Sequence, residues 1–165
     1  MRLLVLFACA PALARADATN VYKEHPINIS SNPLGALFDF WGLSVEIAQS
    51  PNHALRFDAD LWGTTPETRI RGYEAGVSVP IYLARTYLGP FIEPGLVVRS
   101  SHVLRRGGFN YRAWGGAELL FGGQITLPSG WNAAIALGVV QTLVTFSGVT
   151  DKDYIDGYLR IGKAF

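Results

Sequence analysis

The sequence predicts an all-β fold, an antiparallel up-and-down eight-stranded transmembrane β-barrel. Apolar and polar residues alternate with period two through most of the chain, and helical spacing is hard to find. Short turns alternate with longer polar connections, the pattern of barrels that have turns at one end and loops at the other. Beyond the first 18 residues no apolar run reaches the roughly 20 residues of a membrane-spanning helix. Any membrane crossing would therefore use strands.

Residues 1–18 have the features of a cleaved secretory signal peptide. Arg2 gives a positive start, an apolar run follows from Leu3, and Ala14-Arg-Ala16 or Ala16-Asp-Ala18 offers a small-x-small cleavage site. We therefore expect a signal peptide, residues 1–18, and one outer-membrane barrel domain, residues 19–165. Cys9 is the only cysteine and lies in the signal, so the rest of the chain has no disulfide and no Cys-based metal site.

Charge excludes nucleic acid as a partner. The signal contains Arg2, Arg15 and Asp17, so 12 basic and 12 acidic residues remain of the 14 and 13 in the whole chain. A neutral chain without a basic run lacks the electrostatic footprint of a nucleic-acid-binding protein. The 18 glycines, 12% aromatic content and three histidines suit a β-rich chain better than a hydrolase core.

Two strands are predicted in residues 21–49, which is the weakest part of the pattern. The apolar row contains Leu34, Ala36 and Phe38 and then changes parity at Asp39. A turn near residues 37–40 would explain the change and make the total eight. A single long first strand with a bulge is the competing interpretation.

Six alternating segments after residue 50 are predicted strands. Their apolar rows are Leu55–Leu61, Tyr73–Leu83, Leu88–Val98, Tyr111–Leu127, Trp131–Val139 and Ile155–Phe165, taken at alternate positions. Tight turns are predicted at Ser50-Pro-Asn52, Ala84-Arg-Thr86 and Pro128-Ser-Gly130. Longer loops are predicted at Gly63–Arg69, Val103–Asn110 and Ser147–Asp153. Short turns of this kind are periplasmic in outer-membrane barrels.

The polar row is expected to face the barrel interior. It is rich in glycine and carries only one or two charges per strand, whereas a solvated outer face would carry more Lys and Glu. An eight-stranded barrel is also just wide enough for side chains to fill it. The predicted interior charge network is Glu46, Arg56, Asp58, Asp60, Glu74, Glu93, Arg99, Arg112, Glu118, Asp156 and Arg160. Buried charges must pair, so we expect a salt-bridged lumen without an open pore.

Aromatic residues at strand ends predict interfacial girdles on the outer surface. The residues in question are Trp41, Tyr73, Tyr111, Trp131 and Phe165.

The last segment, Tyr158-Leu-Arg-Ile-Gly-Lys-Ala-Phe165, resembles the final strand of bacterial outer-membrane β-barrels, in which a C-terminal Phe is part of the assembly signal. The whole chain resembles the small eight-stranded proteins of the OmpA transmembrane domain, OmpX and opacity type. Within these it is most similar to an uncharacterised outer-membrane family, through Ile27-Asn-Ile-Ser-Ser-Asn-Pro-Leu-Gly35 and Tyr87-Leu-Gly-Pro90. The resemblance implies the outer membrane of a Gram-negative bacterium. It also implies that the barrel assembly machinery contacts the strand ending at Phe165, but it implies no activity.

Few residues are candidates for chemistry. Ser100 and His102 share the predicted lipid-facing side and could act as nucleophile and base if an acid oriented the imidazole. Small barrels that deacylate lipid A use an outward His/Ser pair, although theirs lies on a later strand. Arg105 and Arg106 could contact lipopolysaccharide phosphates, because Arg binds phosphate in a bidentate manner. We expect no metal site and no cofactor.

The expected function is therefore non-enzymatic: a monomeric barrel, in contact with outer-membrane lipid and lipopolysaccharide, that serves envelope integrity or surface interaction. Two alternatives stay open. One is a lipid A-modifying hydrolase that uses Ser100 and His102, and the other is a soluble periplasmic lipocalin-like carrier with its apolar row inside.

Overall fold

The computed structural model describes residues 21–64, 70–105, 108–146 and 153–165, and for residues 21–22, 104–105 and 108–110 only the backbone. The predicted signal peptide, residues 1–18, lies outside the described residues. A one-turn helix, α1 (Val21–Glu24), precedes the sheet, and a 3₁₀ turn covers Gly35–Phe38. The strands are β1 (Ile27–Ser31), β2 (Phe40–Ala48), β3 (Ala54–Trp62), β4 (Ile70–Ser78), β5 (Ile81–Tyr82), β6 (Gly89–Arg105), β7 (Gly108–Thr126), β8 (Trp131–Thr145) and β9 (Tyr154–Ala164).

These strands form one closed antiparallel barrel. Every strand pairs with its neighbour in the chain except at β5, where β4 pairs directly with β6. The barrel closes between β1 and β9, with Ser30 opposite Gly162. β4 and β5 are successive parts of one barrel strand, here called a stave, so the barrel has eight staves. The predicted all-β fold, an antiparallel eight-stranded barrel, is confirmed.

The predicted continuous strand from Tyr73 to Leu83 is wrong in one respect. Pairing stops after Ser78 and resumes at Ile81, because Pro80 has no N–H to donate to a ladder. The backbone remains tied there: Val79 N donates to Pro94 O at 2.9 Å, and Ala54 N donates to Pro80 O at 3.1 Å.

The N-terminal region contains two strands rather than one bulged strand. The 3₁₀ turn between β1 and β2 ends at Asp39, which has a left-handed backbone with φ of 59°. Asn32 Oδ1 accepts a hydrogen bond from Gly35 N at 2.9 Å and holds the start of the turn. The change of apolar parity at Asp39 therefore marks the reversal of the chain.

The two ends of the barrel differ. The lower end contains the short connections 49–53, 83–88 and 127–130, together with Phe165, whose N–H donates to Ile27 O at 2.8 Å. The upper end contains the other connections. The predicted loop Val103–Asn110 is wrong, because β6 continues to Arg105 and β7 begins at Gly108. The predicted loops Gly63–Arg69 and Ser147–Asp153 lie largely outside the described residues.

The barrel is apolar outside and polar inside. Large apolar side chains are exposed on every stave, and the predicted girdle residues Trp41, Tyr73, Tyr111, Trp131 and Phe165 are each about half exposed on the outer surface. Buried polar side chains include Glu46, Arg56, Asp60, Glu93 and Arg160. No helix in the described part of the chain is long and apolar enough to span a membrane.

Candidate functional site in the barrel lumen

The lower half of the lumen is organised around Arg56, whose side chain is 1% exposed. Arg56 on β3 lies directly opposite Glu46 on β2, with Nη2 3.5 Å from Glu46 Oε2. Its Nη1 donates to Glu93 Oε2 on β6 at 2.7 Å and also to the Tyr158 hydroxyl on β9. One guanidinium therefore ties together four staves, two of which are not neighbours of β3.

Further hydrogen bonds saturate the two carboxylates. Glu46 Oε1 accepts from the Tyr82 hydroxyl at 2.6 Å, and Glu46 Oε2 accepts from Asn28 Nδ2 at 3.2 Å. Glu93 Oε1 accepts from Ser78 Oγ at 2.6 Å, and Glu93 Oε2 accepts from the Tyr158 hydroxyl at the same distance. A buried ion pair stabilises a fold only when its remaining lone pairs are satisfied in this way.

The lower mouth is closed by the 83–88 connection, through Tyr87. This residue has φ of 68° and is fully buried. Its hydroxyl donates to Pro26 O at 2.8 Å and lies 3.1 Å from Glu46 O. Its ring meets Tyr82 edge-on at 6.4 Å between centroids, in a small apolar cluster with Phe91. The turn thus folds an aromatic ring into the base of the barrel.

The upper half is organised around Arg99. It lies opposite Glu74 on β4 and makes an ion pair with it, and Nη2 is 3.7 Å from Asp156 Oδ2 on β9. Three aromatic rings surround the guanidinium, with centroid distances of 4.5 Å to Tyr154, 5.2 Å to Trp62 and 5.6 Å to Trp114. Cation–π contacts of this kind add to the ion pair when water is excluded.

A cavity of about 40 Å³ separates the two clusters, room for a small number of waters. Its charged lining residues are Asp58, Asp60, Glu74, Glu118, Asp156 and Arg160. Arg160 pairs with Asp58, and its guanidinium lies 4.2 Å from the centroid of the Tyr158 ring. The excess of acids seen in the sequence is thus concentrated around a part of the described lumen that has room for water.

All of the predicted network except Arg112 falls into these three groups. Glu46, Arg56 and Glu93 form the lower cluster, and Arg99 with Glu74 and Asp156 the upper one. The remaining acids line the cavity with Arg160. Arg112 is half-buried on β7, two residues before the inward Trp114.

The sequence interpretation missed the aromatic part of the lumen. Trp114, Tyr154, Phe91 and Tyr87 are inside, although none was assigned there. Trp114 belongs to the same alternating row as Arg112, so counting positions through the strand would have found it. Tyr87 lies in a turn, where alternation carries no information.

The structure does not assemble a Ser–His dyad. The register places Ser100 opposite Tyr73 and His102 opposite Tyr111, on the outward face. Ser100 is only 2% exposed, however, and its Oγ has no hydrogen-bond partner among the described residues. The His102 ring instead packs on Tyr111, with 5.0 Å between centroids.

The predicted phosphate contacts lie beyond what the structure describes: only the backbone of Arg105 is described, and Arg106 is outside the described residues. In the described part of the chain, no group of three or more His, Asp or Glu residues is arranged to hold a metal ion.

Comparison with solved structures finds a barrel of the same fold. The chain shares its fold with the N-terminal β-barrel domain of Pseudomonas aeruginosa OprF. The TM-score is 0.63, and the match covers 84% of this chain and 96% of the OprF domain. The sequences are 13% identical, so the similarity to OprF extends to the fold alone. No protein-family model matches the chain, and no curated protein matches it.

Proposed function

We propose that the chain is an outer-membrane β-barrel protein of a Gram-negative envelope whose role is structural rather than catalytic or pore-forming. One observation carries the proposal: apolar side chains cover the outside of a closed barrel, and Asp, Glu, Arg and other polar side chains line its inside. In water this arrangement would be unfavourable on both surfaces. In a bilayer a closed barrel pairs its backbone groups between strands and keeps the inward charges away from lipid.

The distribution of side chains argues against a soluble lipocalin-like carrier. Such a barrel needs its apolar row inside and a cavity for the ligand. Small-molecule pockets have volumes of about 300–1,000 Å³, whereas the lumen cavity here has about 40 Å³ and five acids among its lining residues.

The lumen contents argue against an open channel. Tyr87 and the Arg56 cluster fill the lower half, and Arg99 with its three aromatic neighbours fills the upper half. Opening a path would separate buried ion pairs, which is costly because the released charges stay buried. The same clusters brace non-neighbouring staves against each other and make the barrel rigid.

The arrangement of Ser100 and His102 does not support a hydrolase. A nucleophile must be hydrogen-bonded to its base and reachable by its substrate. Ser100 Oγ is buried and makes no hydrogen bond within the described residues. The structural role is therefore the better supported of the two.

A proposed route of export and assembly accompanies this function. Residues 1–18 direct secretion and are cleaved, and the β9 strand with Phe165 is presented to the barrel assembly machinery. Phe165 is exposed at the lower end beside β1, where a partner could reach its ring. The barrel is proposed to work as a monomer.

Fractionation combined with heat-modifiability tests the proposal. We expect the protein in the outer-membrane fraction and an unboiled SDS-gel band that migrates faster than the boiled one. We also expect no single-channel conductance in planar bilayers, and increased sensitivity to detergents and EDTA on deletion of the gene. Recovery of the protein in the soluble periplasmic fraction, without a band shift, would overturn the proposal.

A further inference from the structure

Three side chains that can donate hydrogen bonds form a row across the outward face of three adjacent strands at the upper end. Arg71 on β4 is the direct cross-strand partner of His102 on β6, and His102 is the partner of Tyr111 on β7. Direct cross-strand partners have Cβ atoms about 4.5–5.5 Å apart. Arg71 and Tyr111 are exposed, and His102 is half-buried against the Tyr111 ring.

We infer that this row is a binding site for the phosphate of a lipid A-type glycolipid headgroup. The inference rests on the proposed membrane location, which puts the upper end in the outer leaflet. The guanidinium of Arg71 can bind phosphate in a bidentate manner. The Tyr111 hydroxyl donates one further hydrogen bond, and the His102 imidazole donates through at least one ring nitrogen in either protonation state.

The surroundings of the row suit a headgroup rather than a protein carboxylate. The next outward positions on the same three strands are Tyr73, Ser100 and Ala113, none of which is charged. Tyr73 belongs to the aromatic girdle, the level at which lipid headgroups begin. The row therefore lies where the apolar belt ends and anionic phosphates are found.

The backbone of Gly63 lies close against the stem of Arg71. Gly63, the residue after β3, has φ of 71°, and a Cβ placed on it would lie 2.9 Å from Arg71 Cγ. With no side chain at this position, the stem of Arg71 rests directly on the neighbouring backbone. Binding does not require Arg71 to lack other partners, because a guanidinium has five N–H donors.

A matched control lies at the opposite end of the barrel. Lys163 on β9 also carries a positive charge between aromatic rings, 5.5 Å from the Phe165 centroid and 5.9 Å from that of Trp131. Replacing Lys163 by Gln removes the same unit of charge from the same kind of surroundings. It leaves the upper row untouched.

The test measures the affinity of each detergent-solubilised barrel for lipid A, by native mass spectrometry over a lipid A titration. The proteins are the wild type, the double variant Arg71→Gln/His102→Gln, Tyr111→Phe and Lys163→Gln. The ligands are lipid A and the same lipid A with its phosphates removed. We expect wild type and Lys163→Gln to bind lipid A equally, and the double variant to bind about tenfold more weakly, since charge-assisted hydrogen bonds are lost. Removing the phosphates should weaken wild-type binding to a similar extent.

Each protein is first checked for the heat-dependent band shift, which separates failure of the fold from failure of the site. If the double variant does not fold, Tyr111→Phe still tests the inference, because it keeps the aromatic ring and removes one hydrogen-bond donor. We expect Tyr111→Phe to bind lipid A about threefold more weakly than wild type, which corresponds to the loss of one hydrogen bond. Equal binding by all folded variants, or equal binding of dephosphorylated lipid A, would overturn the inference. Absence of the band shift in the wild type would instead count against the proposed function.

Discussion

Replacing Arg56 by Met should destabilise the barrel more than any change to a single surface charge. The substitution keeps an unbranched side chain in the lumen but removes the cation between Glu46 and Glu93, both of which are fully buried. Breaking a buried ion pair from one side costs about 3–5 kcal/mol, because the remaining charge stays uncompensated. Here one cation serves two carboxylates, so we expect the upper part of that range.

Urea unfolding of the barrel in lipid vesicles, followed by tryptophan fluorescence and by the unboiled gel band, measures this loss. With a slope of about 2 kcal/mol per molar urea, the midpoint should fall by about 2 M. The control Arg85→Met changes an arginine in the lower turn 83–88 and should alter the free energy of unfolding by no more than about 0.5 kcal/mol.

A triple variant separates lost charge balance from lost packing. Adding Glu46→Gln and Glu93→Gln to Arg56→Met removes all three charges and keeps similar volumes, so most of the lost stability should return. The reasoning would be refuted if Arg56→Met alone lay within about 1 kcal/mol of wild type, or if the triple variant were less stable than Arg56→Met.

Three further predictions concern other parts of the barrel. Gly138→Ala should prevent folding, and hence the fast-migrating unboiled band, because the added Cβ would lie 2.0 Å from Leu119 O. Gly123→Ala should fold normally, because its added Cβ would lie 3.9 Å from the nearest atom. Equal folding of the two variants would contradict this prediction. Tyr87→Phe should lower the free energy of unfolding in urea by about 0.5–1.5 kcal/mol, since the hydrogen bond from the Tyr87 hydroxyl to Pro26 O is lost; an unchanged midpoint would argue against the plug. Ser100→Ala should leave both stability and lipid A acylation unchanged by mass spectrometry, because its Oγ makes no hydrogen bond within the described chain; loss of a deacylated species on substitution would support the hydrolase.

The alternating pattern predicted the barrel, and the glycine-rich polar row with only one or two charges per strand predicted which row faces inward. Alternation is a local property of an extended chain, since successive side chains point to opposite faces whichever strand lies beside them. The inward positions of Glu46, Arg56 and Glu93 therefore follow from parity within each strand. The parity change at Asp39 likewise predicted the extra turn, and hence the eighth stave.

The sequence by itself could not say which charges meet. Arg56 and Glu93 lie on strands that are not neighbours, and Arg99 reaches Asp156 across the lumen. Such contacts depend on register and on how the sheet closes, and both are set by the pairing of all strands together.

Only the tertiary structure decided how the lumen is closed and where the outer surface is polar. Tyr87 closes the lower end of the lumen from a turn, where alternation does not indicate which way a side chain points. Trp114 contacts Arg99 only because β7 pairs with β6 in the closed sheet. The row of Arg71, His102 and Tyr111 also could not be found from the sequence, because these residues become neighbours only through the register between strands. Position along a strand is a local property, whereas neighbours across strands exist only in the closed barrel.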